Sequence, residues 1–196
     1  PKAAIGAYTA TATKEVLSDI AKQLGLEKAS IHQASMRRPN LSYEVSTWGD
    51  TEAEILQFAQ SSNHNESGLV YVKTRNEADK WAERLTSIGL NATSFHAGLE
   101  PRVKQKRQRD WISNKVAVMA CTSAFGMGID KPDVRWIVHV GAPSNLESYI
   151  QESGRAGRDG KPARCLLFQG DKERVKAEEN MNSQFPSRKI ICEIYQ

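Results

Sequence analysis

The sequence predicts an α/β fold in which a parallel sheet carries helices on both faces. Short β-branched or aromatic apolar runs recur from about residue 40 onward, bounded by turn residues and lacking the alternation of a half-exposed strand. Amphipathic helical stretches separate them. With 39% apolar and 26% charged residues and no apolar run near 18 residues, the composition is globular and excludes a membrane-spanning helix.

In chain order, residues 3–13 are small and rich in Thr and Ala. A helix is expected from Thr13 to Leu24, with Val16, Leu17, Ile20 and Leu24 on one face. The turn-like Arg37-Arg-Pro-Asn40 leads into Leu41-Ser-Tyr-Glu-Val45. Strands are expected at Leu69–Val72, Ala92–Phe95, Val116–Ala120, Trp136–Val140 and Cys165–Phe168. A helix over Glu77–Ile88 places Ala78, Trp81, Ala82, Leu85 and Ile88 at three/four spacing, with Gly89 to end it. Pro101 opens a helix to Ser113, and Ser144 or Asn145 caps one running to Ser153. The segment from Lys172 is charged and helical in pattern, interrupted at Pro186. Domain limits are expected at 1–36, 37–172 and 173–196. The opening at Pro1 without a Met suggests a cut or processed piece.

Three cysteines, Cys121, Cys165 and Cys192, are odd in number and far apart. They suggest neither a disulfide framework nor a zinc site, and an intracellular setting is expected. A net charge of +4 permits a nucleic-acid partner without requiring one.

Residues 151–160 read Gln-Glu-Ser-Gly-Arg-Ala-Gly-Arg-Asp-Gly. Arg155 and Arg158, three apart, would project from one face of a helical turn. Their planar cationic forks match phosphate oxygens, and Gly154, Gly157 and Gly160 would let backbone approach a ligand. A solvated loop is the bland alternative. Asp130, after Gly126-Met-Gly128, can accept from ribose hydroxyls or simply serve a turn. Thr122 and Ser123, and Thr74 and Arg75, follow strand ends, where α/β sheets bind ligands. They suit a nucleic-acid phosphate or ordinary helix caps. His96 also follows a strand, and with no carboxylate or nucleophile beside it in sequence it is given no acid–base role. The basic run Arg102–Arg109 reads as a solvated helix face. Neither a Gly-x-x-x-x-Gly-Lys-Ser/Thr loop nor an Asp-Glu strand end for Mg²⁺ occurs in the sequence.

Ordered segments resemble those of RecQ-family DNA helicases, specifically their second RecA-like lobe. Tyr8–Thr13 resembles helicase motif III, Gly68–Arg75 motif IV, Phe95–Leu99 the segment after it, Cys121–Val134 motif V, and Gln151–Gly160 motif VI. The resemblance covers about residues 3–170. DEAD-box RNA helicases are the runner-up, but their motif VI typically has a His-Arg-x-Gly-Arg form. A stand-alone nucleic-acid-binding module is the alternative of another class.

The resemblance implies an ATP-dependent 3′-to-5′ DNA helicase, with this chain supplying one lobe that has no ATPase activity alone. ATP and Mg²⁺ would be held mainly by the first lobe. Arg155 and Arg158 would face ATP, with Arg158 as the arginine finger; Gln151 would couple the site to motion. Asp130, with Gly128, Gly154 and Gly157, would lie on the nucleotide side. Thr74, Arg75, Thr122, Ser123 and His96 would follow the single strand. Single-stranded and forked DNA are the implied partners, in the cytoplasm if bacterial and the nucleus if eukaryotic. The family's usual zinc module places several cysteines after this lobe, whereas only Cys192 falls in that stretch, so the module either lies beyond residue 196 or is absent.

Overall fold

The computed structural model describes residues 4–9, 12–26, 28–33, 37–47, 51–62, 66–126, 129–171, 174–175 and 177–179. The chain divides into two compact units, Pro1–Arg38 and Pro39–Gln196.

The first unit holds α1 (Lys14–Gln23), whose N-cap Thr13 accepts from the Val16 amide. None of its helical residues is buried, and Val16 and Leu24 are largely exposed.

The second unit contains β1 (Leu41–Ser46), α2 (Thr51–Ser61), β2 (Ser67–Tyr71), α3 (Arg75–Ser87), β3 (Ala92–Phe95), α4 (Pro101–Ile112), β4 (Val118–Cys121), β5 (Val134–Val140), α5 (Leu146–Ser153) and β6 (Ala163–Phe168). All strand pairs are parallel, in the order β1-β6-β5-β2-β4-β3. The five expected strands and the helices that became α3, α4 and α5 are present, with ends shifted by up to two residues. Helix α2 was not anticipated, although Ile55, Phe58 and Ala59 have helical spacing and are buried.

The strands read as unbroken apolar runs because both faces of the sheet are covered. Val70, Val118, Ala120, Trp136 and Val138 pack with Ile55 and Phe58 of α2 and with Trp81 and Leu85 of α3. Their neighbours Leu69, Tyr71, Met119, Cys121 and Ile137 pack on the other face with Trp111 of α4 and Ala156. Cys121 and Cys165 are free and buried within this second layer. Cys192 lies outside the described residues. Gly68 is fixed by its neighbour, because a Cβ there would fall 2.2 Å from the Trp136 ring.

Because all six strands run the same way, their carboxyl ends share one edge. The β4–β5 connection crosses β2, since β4 and β5 flank it on opposite sides. Crevices of this kind are where open α/β sheets hold ligands.

Candidate nucleotide and nucleic-acid site

Helix α5 begins at its N-cap Asn145, whose side chain accepts from the Ser148 amide at 2.8 Å. It stops at Gly154, and the chain turns through 154–160 into β6. Backbone bonds pin this turn to the entry of β5: the Gly157 amide donates to Val134 O (2.9 Å) and the Asp159 amide to Pro132 O (3.2 Å). Gly157 has φ +53°, and a Cβ there would meet Asn40 Nδ2 at 2.6 Å and Lys161 O at 2.7 Å. The close approach expected at Gly157 is therefore made by the chain itself. At Gly154 a Cβ would meet Ile150 O at 2.8 Å, again within the chain, whereas Gly160 faces open space.

Both arginines of the turn reach the loop between β4 and β5, but their surroundings differ. Arg155 Nη1 donates to Gly126 O, and its Nε is buried without a partner. Gly126 is a glycine for two reasons: φ is +150°, and a Cβ would stand 2.2 Å from Arg155 Nη2. Arg158 Nη1 donates to Ile129 O at 3.1 Å and to Asp130 Oδ1 at 2.8 Å. Its side chain is 34% exposed and that of Asp130 is 83% exposed. Gly128 lies outside the described residues. Gln151, exposed on α5, donates to Glu147 Oε1 at 3.1 Å.

The other strand ends carry the remaining candidates. Thr74 is the N-cap of α3 in a capping box: its hydroxyl accepts from the Glu77 amide (3.2 Å), and Glu77 Oε2 accepts from the Thr74 amide (3.0 Å). Arg75, the first residue of α3, lays its side chain over Gly98. The Thr122 amide donates to Phe95 O at 3.2 Å, joining the ends of β3 and β4. Ser123 is exposed and lines a cavity of about 620 Å³ with Tyr71, Lys73, His139, Ser148 and Glu152.

His96 gains a partner that its sequence neighbours do not supply. Its Nε2 lies 3.2 Å from Asp79 Oδ2, so it does have a carboxylate partner, brought from α3 by the fold. Ser94 donates to the same carboxylate, and Arg107 Nη1 donates to Ser94 O (2.8 Å) and Oγ (2.6 Å). Asp79 lies 17 positions from His96 in the chain, a separation no short motif reveals. Arg102, Lys106 and Arg109 are exposed, with Lys106 paired to Asp110 at 2.9 Å.

A second buried pair also escaped the sequence. His139 Nε2 lies 2.9 Å from Glu152 Oε2, with side-chain exposures of 1% and 12%. Burial pushes the Tyr71 hydroxyl and the Cys121 thiol well above their ordinary pKa ranges, so both stay protonated. Among the described residues no group of three or more His, Cys, Asp or Glu could hold a metal ion.

The helicase conserved C-terminal domain family matches residues 51–160, which span the β4–β5 loop and both arginines. The chain belongs to this family. The helicase C-terminal domain is 42% identical over 164 residues to a putative ATP-dependent DNA helicase Q1 of Caenorhabditis briggsae, covering 82% of this chain and 26% of that protein. It is also 42% identical over 167 residues to the ATP-dependent DNA helicase RecQ of Bacillus subtilis, covering 85% and 28%. The chain thus spans about a quarter of the length of these two relatives. A DEAD box protein of Methanococcus jannaschii shares the fold with a TM-score of 0.63 at 25% identity, over 90% of this chain and 47% of that one. The RecQ resemblance and the RecA-like sheet expected from the sequence are borne out by these similarities.

Proposed function

We propose that this helicase C-terminal domain is the second RecA-like lobe of an ATP-dependent 3′-to-5′ DNA helicase of RecQ type. It completes an ATP site whose phosphate loop and Mg²⁺ ligands belong to the first lobe, of which residues 1–36 form the tail. The observation that carries the reading is Arg158: its guanidinium stands partly exposed, aimed by Asp130 and by Ile129 O. A preoriented guanidinium entering from a facing lobe stabilises the charge of the transferring phosphoryl group.

Asp130, mostly exposed, would accept from the ribose when Arg158 turns to the γ-phosphate, and Gln151 would report closure through α5. Thr74, Arg75, Thr122, Ser123 and His96 would follow the backbone of single-stranded or forked DNA. Closure and reopening of the cleft then alternate the grip on the strand. This chain alone is expected to show no Mg²⁺-dependent ATP turnover.

The deciding experiment is Arg158→Ala in the intact protein. Loss of DNA-stimulated hydrolysis with single-strand affinity retained is expected. Loss of DNA affinity with hydrolysis retained would overturn the reading in favour of a nucleic-acid-binding module.

A further inference from the structure

We infer that Glu152 and His139 are positioning residues that hold the arginine turn in register with the loop after β4, and so set how strongly DNA stimulates hydrolysis. The inference rests on the proposed function, which neither residue enters directly.

A closed circuit of contacts carries it. Glu152, two residues before the turn, meets His139 of β5 at 2.9 Å. The imidazole lies parallel to the Tyr71 ring of β2, with centroids 5.1 Å apart and planes at 13°, and it touches Tyr149 of α5 at 5.0 Å. The Tyr71 hydroxyl donates to Phe125 O at 3.3 Å, just past Thr122 and Ser123. The next residue, Gly126, accepts from Arg155, which lies three residues beyond Glu152. The path leaves α5 through Glu152, crosses two strands, reaches the candidate DNA loop, and returns to the arginine turn. A shift of the loop is thereby felt at both ends of the 152–155 segment.

The polar groups are committed to this path. The imidazole directs one nitrogen to Glu152, and its Nδ1 has no partner among the described residues. A His–Glu pair this deep is a costly way to obtain stability, because both groups lose hydration that apolar packing would not forfeit. Its directional bond does fix where α5 ends. Orienting partners of this kind act on the group that does the chemistry without touching the substrate.

The test uses the intact helicase. Glu152→Ala is expected to lower kcat for DNA-stimulated hydrolysis by about 3- to 30-fold, the range found for residues that couple sites without touching either ligand. KM for ATP and single-strand affinity should stay within about twofold, the signature of a loss confined to the transition state. Glu152→Gln, which keeps a hydrogen-bond acceptor for the imidazole, should restore most of the stimulation, and His139→Ala should resemble Glu152→Ala.

Wild-type stimulation in Glu152→Ala would overturn the inference. So would a parallel fall in kcat, ATP affinity and DNA affinity that Glu152→Gln does not rescue, because that pattern marks a merely structural role. Arg158→Ala is measured alongside. Retained hydrolysis there breaks the proposed function itself, whereas retained stimulation in Glu152→Ala beside an inactive Arg158→Ala breaks only the positioning role.

Discussion

The arginine turn after α5, pinned at the entry of β5, and the junction between β2 and α3 are built by opposite means. At the junction the defining bonds are local: Thr74 and Glu77, three residues apart, satisfy each other's backbone amides. At the turn they are remote: Arg155 and Arg158 each bond a carbonyl 29 positions away. The bonds of the junction are therefore made within one helical turn. The turn exists only when β4, β5 and α5 have been assembled around it. A turn of the second design takes its geometry from the rest of the lobe.

The contrast can be broken at several points. The largest effect is expected in activity, where Arg158→Ala should reduce hydrolysis in the intact helicase by about 10³-fold or more, the scale of an arginine finger. Glu152→Ala should follow at the smaller size given above. In stability, Gly126→Ala drives a methyl group into the Arg155 guanidinium and strains a φ of +150°. It should lower unfolding free energy by about 1–3 kcal/mol in denaturant titrations. An unchanged midpoint would mean that Arg155 leaves Gly126 without cost.

Thr74→Ala removes a cap and should cost about 1 kcal/mol in the same assay while leaving the arginine turn intact. If the double variant with Gly126→Ala departed from additivity in that assay, the local and remote designs would not be separate.

The smallest effect concerns acid. Arg135, bonded to Asp159 at 2.6 Å, holds that carboxyl below its ordinary value of 3.8. Because the folded pKa is the lower one, the stabilisation is present above pH 3.8 and is lost as pH falls through the folded value. Thermal midpoints measured downward from pH 5 should fall slightly less steeply in Arg135→Met than in the unsubstituted chain. An identical slope would show that the pair contributes nothing to the turn.

What could be read from the sequence follows the same division. The strand runs, the apolar face of α3 and the narrowing of the α5 cap to Ser144 or Asn145 all depend on spacing within about one helical turn. They were legible for that reason. Helix α2 carries a comparable signal in Ile55, Phe58 and Ala59, opened by the start-signal residues Asp50, Thr51 and Glu54, and was within reach of the same reasoning. The glycine-framed arginines were also visible as a pair, since their three-residue spacing survives folding.

By itself, then, the sequence determined the α/β class, the buried strands and the identity of the groups able to meet a phosphate. Local propensity, periodicity and charge are properties of neighbouring residues. Only the tertiary structure decided that Arg155 turns inward to Gly126 while Arg158 stays at the surface with Asp130. It alone decided that His96 meets Asp79, and that His139 meets Glu152 beneath the cavity. Those choices are made by sheet order and helix packing, which bring together groups 13 to 29 residues apart.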